Sequence, residues 1–209
     1  MQRRLEASNS NALYGESSVS TPASPWSAAS DEALLKAMAE GLSDPFDELF
    51  SRYSALMLSF ISRLLASNSD PEDLLQETFL RVLTHAKDFR PGSPFKPWLF
   101  TIARNAAYNS IKKSKLRGDL EVQTDLSDWN PPALPGGDPG ARMELQEQKV
   151  RLLAALDDLP APHREIIVLT IFEGFSYEEA AAITGELEST LRSRVFHALK
   201  KLRDRLKEH

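Results

Sequence analysis

The stretch DWNPPALPGGDPG, residues 128–140, constrains the fold more than any other part of the chain. Its four prolines and three glycines remove backbone donors and dihedral preferences, so neither a helix interior nor a strand survives there. On both sides of it the apolar spacing is helical. Phe46, Leu49, Phe50, Tyr53, Leu56, Met57, Phe60, Ile61 and Leu64 make one stripe, and Leu145, Leu152, Leu153 and Leu156 begin another. Strand-like alternation is missing throughout. The pattern predicts an all-α protein of two small helical domains joined by a flexible, acidic, Pro/Gly-rich linker. The expected bounds are an extension over 1–30, a first domain over 31–117, the linker over 118–140 and a second domain over 141–209. The extension is rich in Ser, Asn and Ala and reads as disordered.

Local signals place the helices. Ser30 and Asp31 form an N-cap before EALLKAMAE, and Asp70 followed by Pro71 is a cap with a first-turn proline. The helix after it buries Leu74, Leu75, Phe79, Val82 and Leu83. FRPGSPF (Phe89 to Phe95) is a turn-rich loop, and a fourth helix runs from about Pro97 to Lys113. Ser176 with Glu179 three residues on is a capping box, and Gly185 supplies the turn after SYEEAAAIT.

The net charge of −5 hides a segregated distribution. Lys87 to Arg117 holds eight Lys/Arg and one acid, and Arg192 to Lys207 holds seven and one. Gly118 to Glu147 reverses the balance, with seven acids and one base. Two cationic faces on separate domains with an anionic tether between them suit a protein that touches one long polyanion twice. The apolar runs are too short for a membrane span, no apolar stretch follows Arg3 and Arg4 as a secretory leader requires, and cysteine is absent. A reducing cytoplasm is the expected location.

The final segment has the pattern of a helix-turn-helix. Small Ala180 and Ala181 let its first helix approach the second, whose Leu191, Val195, Ala198, Leu199, Leu202 and Leu206 share a stripe. Arg192, Ser193, Phe196, His197 and Lys200 fall on the adjacent face, where arginine suits guanine edges and phenylalanine a thymine methyl. Thr190 and Arg194 complete the candidate set for duplex DNA. A solvated basic face on the last helix of a bundle remains the competing reading. In the first domain, Asp73, Gln76, Glu77 and Leu80 lie opposite the buried leucines of DPEDLLQETFLRVL. That face is either a solvated helix start or a docking surface for a basic protein.

FDELFSRY, DPEDLLQETFLRVL, PWLFTIARNAAYNSIKK and LPAPHREIIVLTIFEGFSYEEAAAITGELESTLRSRVFHALKKLR, in that order, resemble an extracytoplasmic-function (ECF) sigma factor of bacterial RNA polymerase. The resemblance spans Asp31 to Leu206 apart from the linker. It implies that the first domain is sigma region 2 and the second region 4, that the chain binds core polymerase, and that it directs promoter-specific initiation in response to a stress or envelope signal. It further implies docking of Asp73, Gln76, Glu77 and Leu80 on the clamp coiled coil of the largest polymerase subunit, with region 4 meeting the beta flap. Capture of a melted −10 element is implied for Arg90, Phe95, Lys96, Trp98, Arg104, Asn105, Asn109, Lys112 and Lys113. The second-domain set reads the −35 element, and an anti-sigma factor is the implied regulator. The chain departs from the family pattern in two places: Leu187-Glu188-Ser189-Thr190 stands where Pro-x-Gly-Thr is common, and Asn109 stands where many members have Asp.

Enzymatic constellations are lacking. The four histidines are scattered, and no glycine-rich phosphate loop or nucleophile-base pattern occurs, so neither catalysis nor a cofactor is expected. The alternative is a stand-alone dimeric helix-turn-helix regulator, which requires a long apolar seam that the core does not already use.

Overall fold

The computed structural model describes residues 24–65, 70–117 and 139–207. Helices α1 (Asp31–Ala39), α2 (Asp44–Leu64), α3 (Pro71–His85) and α4 (Phe95–Arg117) form the first unit. Helices α5 (Pro139–Asp157), α6 (Ala161–Ile167), α7 (Tyr177–Thr184) and α8 (Glu188–Lys207) form the second. No strand occurs among the described residues. The caps form as the sequence dictates: the Ser30 hydroxyl accepts from the Ala33 amide at 3.2 Å, and the Asp70 carboxylate from the Glu72 amide at 2.8 Å. Each satisfies an orphan amide of a first turn.

The first core is built from Leu34 and Leu35 of α1, Leu49, Met57, Phe60 and Ile61 of α2, Phe79 and Val82 of α3, and Leu99 and Phe100 of α4. Phe60 and Phe100 pack with tilted rings, centroids 4.6 Å apart, across the α2–α4 contact. Every fully buried side chain of this size contributes about 1.5–3 kcal/mol of transfer free energy. Thr78, buried in α3, donates to the Leu74 carbonyl at 2.7 Å and so leaves no orphan hydroxyl.

Two boundaries differ from the sequence expectation. Residues 24–29, assigned to the extension, form a turn whose Trp26 packs on the core, and Arg52 of α2 donates to the carbonyls of Trp26, Ser27 and Ala29. That polar anchor comes from another helix and is invisible to local composition. Helix α5 begins at Pro139, inside the expected linker, because proline is tolerated in a first turn, where no intrahelical amide is required. The remaining extension and linker residues lie outside the described residues.

The second unit turns on Arg164. Its buried guanidinium donates to the carbonyls of Leu156 (3.0 Å), Asp157 (2.7 Å) and Leu159 (3.3 Å), so it closes the C-terminal end of α5 against α6. Helix α6 continues into a π-helical turn, Val168–Phe172, that buries Val168 and Leu169. The two units are not separate bodies on a string: their buried side chains form one continuous cluster, with Phe100 of α4 edge-on to Phe175 at 4.7 Å.

Candidate nucleic-acid interface

The helix-turn-helix is built from α7 and α8. The capping box closes α7 in both directions: the Glu179 amide donates to the Ser176 hydroxyl at 3.1 Å, and the Ser176 amide to the Glu179 carboxylate at 2.8 Å. The Ser176 amide and hydroxyl, both donating to the ionised carboxylate, hold Glu179 below the ordinary carboxylate range. Gly185 takes φ +74°, the left-handed conformation that ends a helix cheaply only without a Cβ, and its amide donates to Ala181 at 2.8 Å. Ala180 and Ile183 then bury against Leu191, Val195 and Ala198 of α8.

With that stripe inward, α8 turns Arg192, Ser193, Phe196, His197 and Lys200 to solvent. Phe196 is 67% exposed, with the His197 ring edge-on at 5.5 Å. An aromatic this exposed is poorly placed in water and well placed for a base methyl. Arg192 is held by Glu188 at 3.1 Å and lies over the Tyr177 ring at 4.4 Å. Glu188, the acid that Leu187-Glu188-Ser189-Thr190 carries at the variable position of that turn, is thereby balanced by its own i,i+4 partner. Arg194 does not share this face. Its guanidinium pairs with Glu186 at 2.6 Å and braces the α7–α8 turn, a partner eight residues away that helical spacing does not reveal. Thr190 is half-buried in the first turn.

On the first unit, Arg90, Asn105, Asn109, Lys112 and Lys113 are exposed along α4 and the loop before it. Phe95 corrects the sequence expectation. It is 1% exposed, packed on Tyr53 at 5.3 Å and Trp98 at 5.9 Å, so it is a core anchor and not a base platform. Trp98 is half-buried between Phe89 (5.2 Å) and Phe95. Lys96 and Arg104 face the second unit. Lys96 donates to the Glu173 carbonyl at 3.2 Å and lies over the Phe175 ring at 4.7 Å, while Arg104 pairs with Glu165. The docking candidates form one exposed surface of α3, with Leu80 62% exposed and Asp73 and Gln76 in solvent. Glu77 is engaged by Arg81 at 2.5 Å, and half-buried Phe46 and exposed Phe50 extend the apolar part of the surface through their contacts with Phe79.

Sequence reasoning passed over the acids between the units. Glu165 and Glu173 are buried; Glu173 interrupts an apolar stretch in TIFEGF, whereas Glu165 follows His163 and Arg164 and only borders the run IIVL. An acid inside an apolar stretch is the signal that marks Glu173, because burial of a carboxylate requires a partner; Glu165 carries no such signal. Among the described residues no group of three metal-ligating side chains occurs, and no helix is long and apolar enough to cross a membrane.

The comparisons fit this arrangement. Residues 49–117 match the model for Sigma-70 region 2, and residues 149–202 match that for Sigma-70 region 4. The chain is 34% identical over 169 residues to the RNA polymerase sigma factor CarQ of Myxococcus xanthus, covering 81% of this chain and 93% of the relative. It is 38% identical over 157 residues to the ECF sigma factor EcfG of Rhodopseudomonas palustris, covering 75% and 81%. The co-crystal structure of the sigma factor RpoE with the anti-sigma factor NepR from Bartonella quintana superposes with a TM-score of 0.64 at 31% identity, covering 79% of this chain and 98% of that one. A lone helix-turn-helix regulator does not account for two sigma regions matched in order, and the chain belongs to the ECF branch of the sigma-70 family of RNA polymerase sigma factors.

Proposed function

We propose that this sigma factor directs initiation through three faces. Helix α8 enters the major groove of the −35 element, where Arg192, Ser193, Phe196 and His197 meet base edges and Lys200 a phosphate. Thr190, at the first turn, contacts backbone phosphate beside the helix N-terminus. On the first domain, taken as 31–117, the cations Arg90, Lys96, Arg104, Lys112 and Lys113 track the melted −10 strand. Asn105 and Asn109 offer amides to the base edges of that strand, and Trp98 braces the surface. The α3 face, with Asp73, Gln76, Glu77 and Leu80, docks on the largest subunit's clamp coiled coil. The second domain, taken as 141–209, meets the beta flap. The chain works in the cytoplasm beside the polymerase, performs no chemistry of its own, and is held in check by an anti-sigma factor, as the Bartonella RpoE is bound by NepR.

The recognition face of α8 carries this reading: five side chains of DNA-reading types, exposed on one side of a helix whose other side is fixed by the core. The test is reconstitution with core polymerase. The parent chain is expected to co-elute with core and to initiate from a specific promoter, whereas Asp73→Lys, which sets a cation against a basic partner, loses core binding while its far-ultraviolet spectrum and melting temperature hold. An Asp73→Lys chain that binds core as tightly as the parent removes the α3 assignment.

A further inference from the structure

The free chain is closed on itself, and the closure is one-sided. Among the described residues, polar contacts from α2 and α4 join the units. Arg104 pairs with one oxygen of Glu165, and the Tyr108 hydroxyl donates to the other at 2.9 Å. Arg63 donates to the Glu173 carboxylate at 3.0 Å, Lys96 to the Glu173 carbonyl at 3.2 Å, and Arg164 more weakly to the Leu64 carbonyl at 3.4 Å. The Phe100–Phe175 contact and Lys96 over Phe175 fill the space between. Glu165, 2% exposed, therefore has both carboxylate oxygens taken by groups of α4, as the two free oxygens of a phosphodiester would be. The recognition face of α8 has no such cover; Phe196 and Lys200 stand in solvent.

We propose that the Glu165 carboxylate of the second domain is an internal stand-in for nucleic-acid phosphate that occupies Arg104, with Glu173 securing the same closure through Arg63 (carboxylate) and Lys96 (carbonyl), so that domain closure and −10 strand binding exclude each other while the −35 face stays open. The proposal rests on the reading of α4 as the −10 face. Its physical basis is an exchange between anions of like charge. Arg104 is already partly desolvated against a carboxylate, so replacing that carboxylate by a phosphate leaves its charge balance unchanged, while Lys96 exchanges a neutral carbonyl for the same anion. A buried ion pair lies near the balance point between Coulomb gain and desolvation penalty, which makes it a contact that yields to a competitor. Contacts between domains of one chain are of the transient kind.

Because the chain has no cysteine, Glu40→Cys and Asp204→Cys give unique, exposed dye sites on the two units. Energy transfer between them reports closure, and anisotropy of a fluorescein-labelled single-stranded thymidine oligonucleotide reports binding. Glu165→Gln with Glu173→Gln is expected to lower transfer and to tighten oligonucleotide binding about tenfold, the factor released when a state closed nine-tenths of the time is freed. By reciprocity, the oligonucleotide opens the parent chain. Tyr108→Phe, which keeps the ring and removes one bond to Glu165, shifts both readouts in the same direction by less. Unchanged transfer in the double variant overturns the assignment of closure to these acids. Lowered transfer with unchanged oligonucleotide affinity overturns the competition. Lowered transfer with no binding by any of the proteins overturns the −10 face itself, and the competition with it.

Discussion

Arg192 has its charge met by Glu188 at 3.1 Å and its plane fixed by the Tyr177 ring at 4.4 Å, yet its side chain is 60% exposed. A guanidinium pre-oriented in this way loses less freedom when it makes a bidentate contact than a free one does. Arg192→Ala is expected to cost about 1–3 kcal/mol on a preferred −35 duplex and to relax selection at one base position. Lys200→Ala weakens binding to all duplexes alike and lowers the salt slope by about one. Anisotropy titrations over a salt series on the preferred duplex and on single-position variants separate the two. Equal, sequence-independent losses from both variants would make α8 a phosphate clamp. This face was legible in the sequence because it follows from helical period alone. Arg194 was not, since its partner Glu186 is set by a turn. Phe95 entered the −10 set through the family resemblance alone, and its burial among Tyr53, Phe89 and Trp98 depends on tertiary neighbours that no local pattern displays.

Helix α7 has only eight residues, too few to be stable alone, so its ends and its packing hold it. Ser176→Ala removes one half of the capping box and is expected to destabilise the protein by about 1 kcal/mol, read as a lower urea midpoint at unchanged slope. Glu179 gives the same cap a pH signature. Its bonds to the Ser176 amide and hydroxyl lower its pKa in the folded state, so the carboxylate contributes stability that is fully present above the ordinary glutamate value of 4.5. That contribution is lost as pH falls from there through the lowered folded value. Glu179→Gln is therefore less stable than the parent at neutral pH, and the gap narrows as acid is added; a gap independent of pH would show that the bond, and not the charge, does the capping. The capping box was legible because it is a three-residue spacing with a mechanism. The start of α5 at Pro139 was not, because a proline-glycine run reads as linker even where its last proline can serve as the first turn of a helix.

At the scale of the molecule, the closed arrangement and the task conflict. Elements named −10 and −35 lie roughly 25 base pairs apart, about 85 Å at ~3.4 Å per step. The α4–α7 contact holds the two DNA-facing units side by side. Initiation therefore requires the units to part. Nothing in the sequence pattern pairs Arg104 with a glutamate 61 positions away, which is why two helical units were legible and their closure was not. The connection between them, residues 118–138, lies outside the described residues, but covalent geometry limits it to about 70 Å when fully extended. With the width of the domains added, that span is sufficient. The resemblance to sigma factors implies that its acids Asp119, Glu121, Asp125 and Asp128, with Trp129, occupy a polymerase cleft built to hold nucleic acid until the transcript displaces them, and that implication is what a charge deletion tests. A Gly/Ser replacement of equal length preserves reach and deletes charge. Such a variant is expected to bind core polymerase and promoter as the parent does, and to differ afterwards, with inefficient short-transcript synthesis or altered escape from the promoter. The measurement is the ratio of abortive to full-length RNA in single-round transcription. A ratio equal to the parent's would leave the acids the simpler duty of keeping the tether solvated and extended.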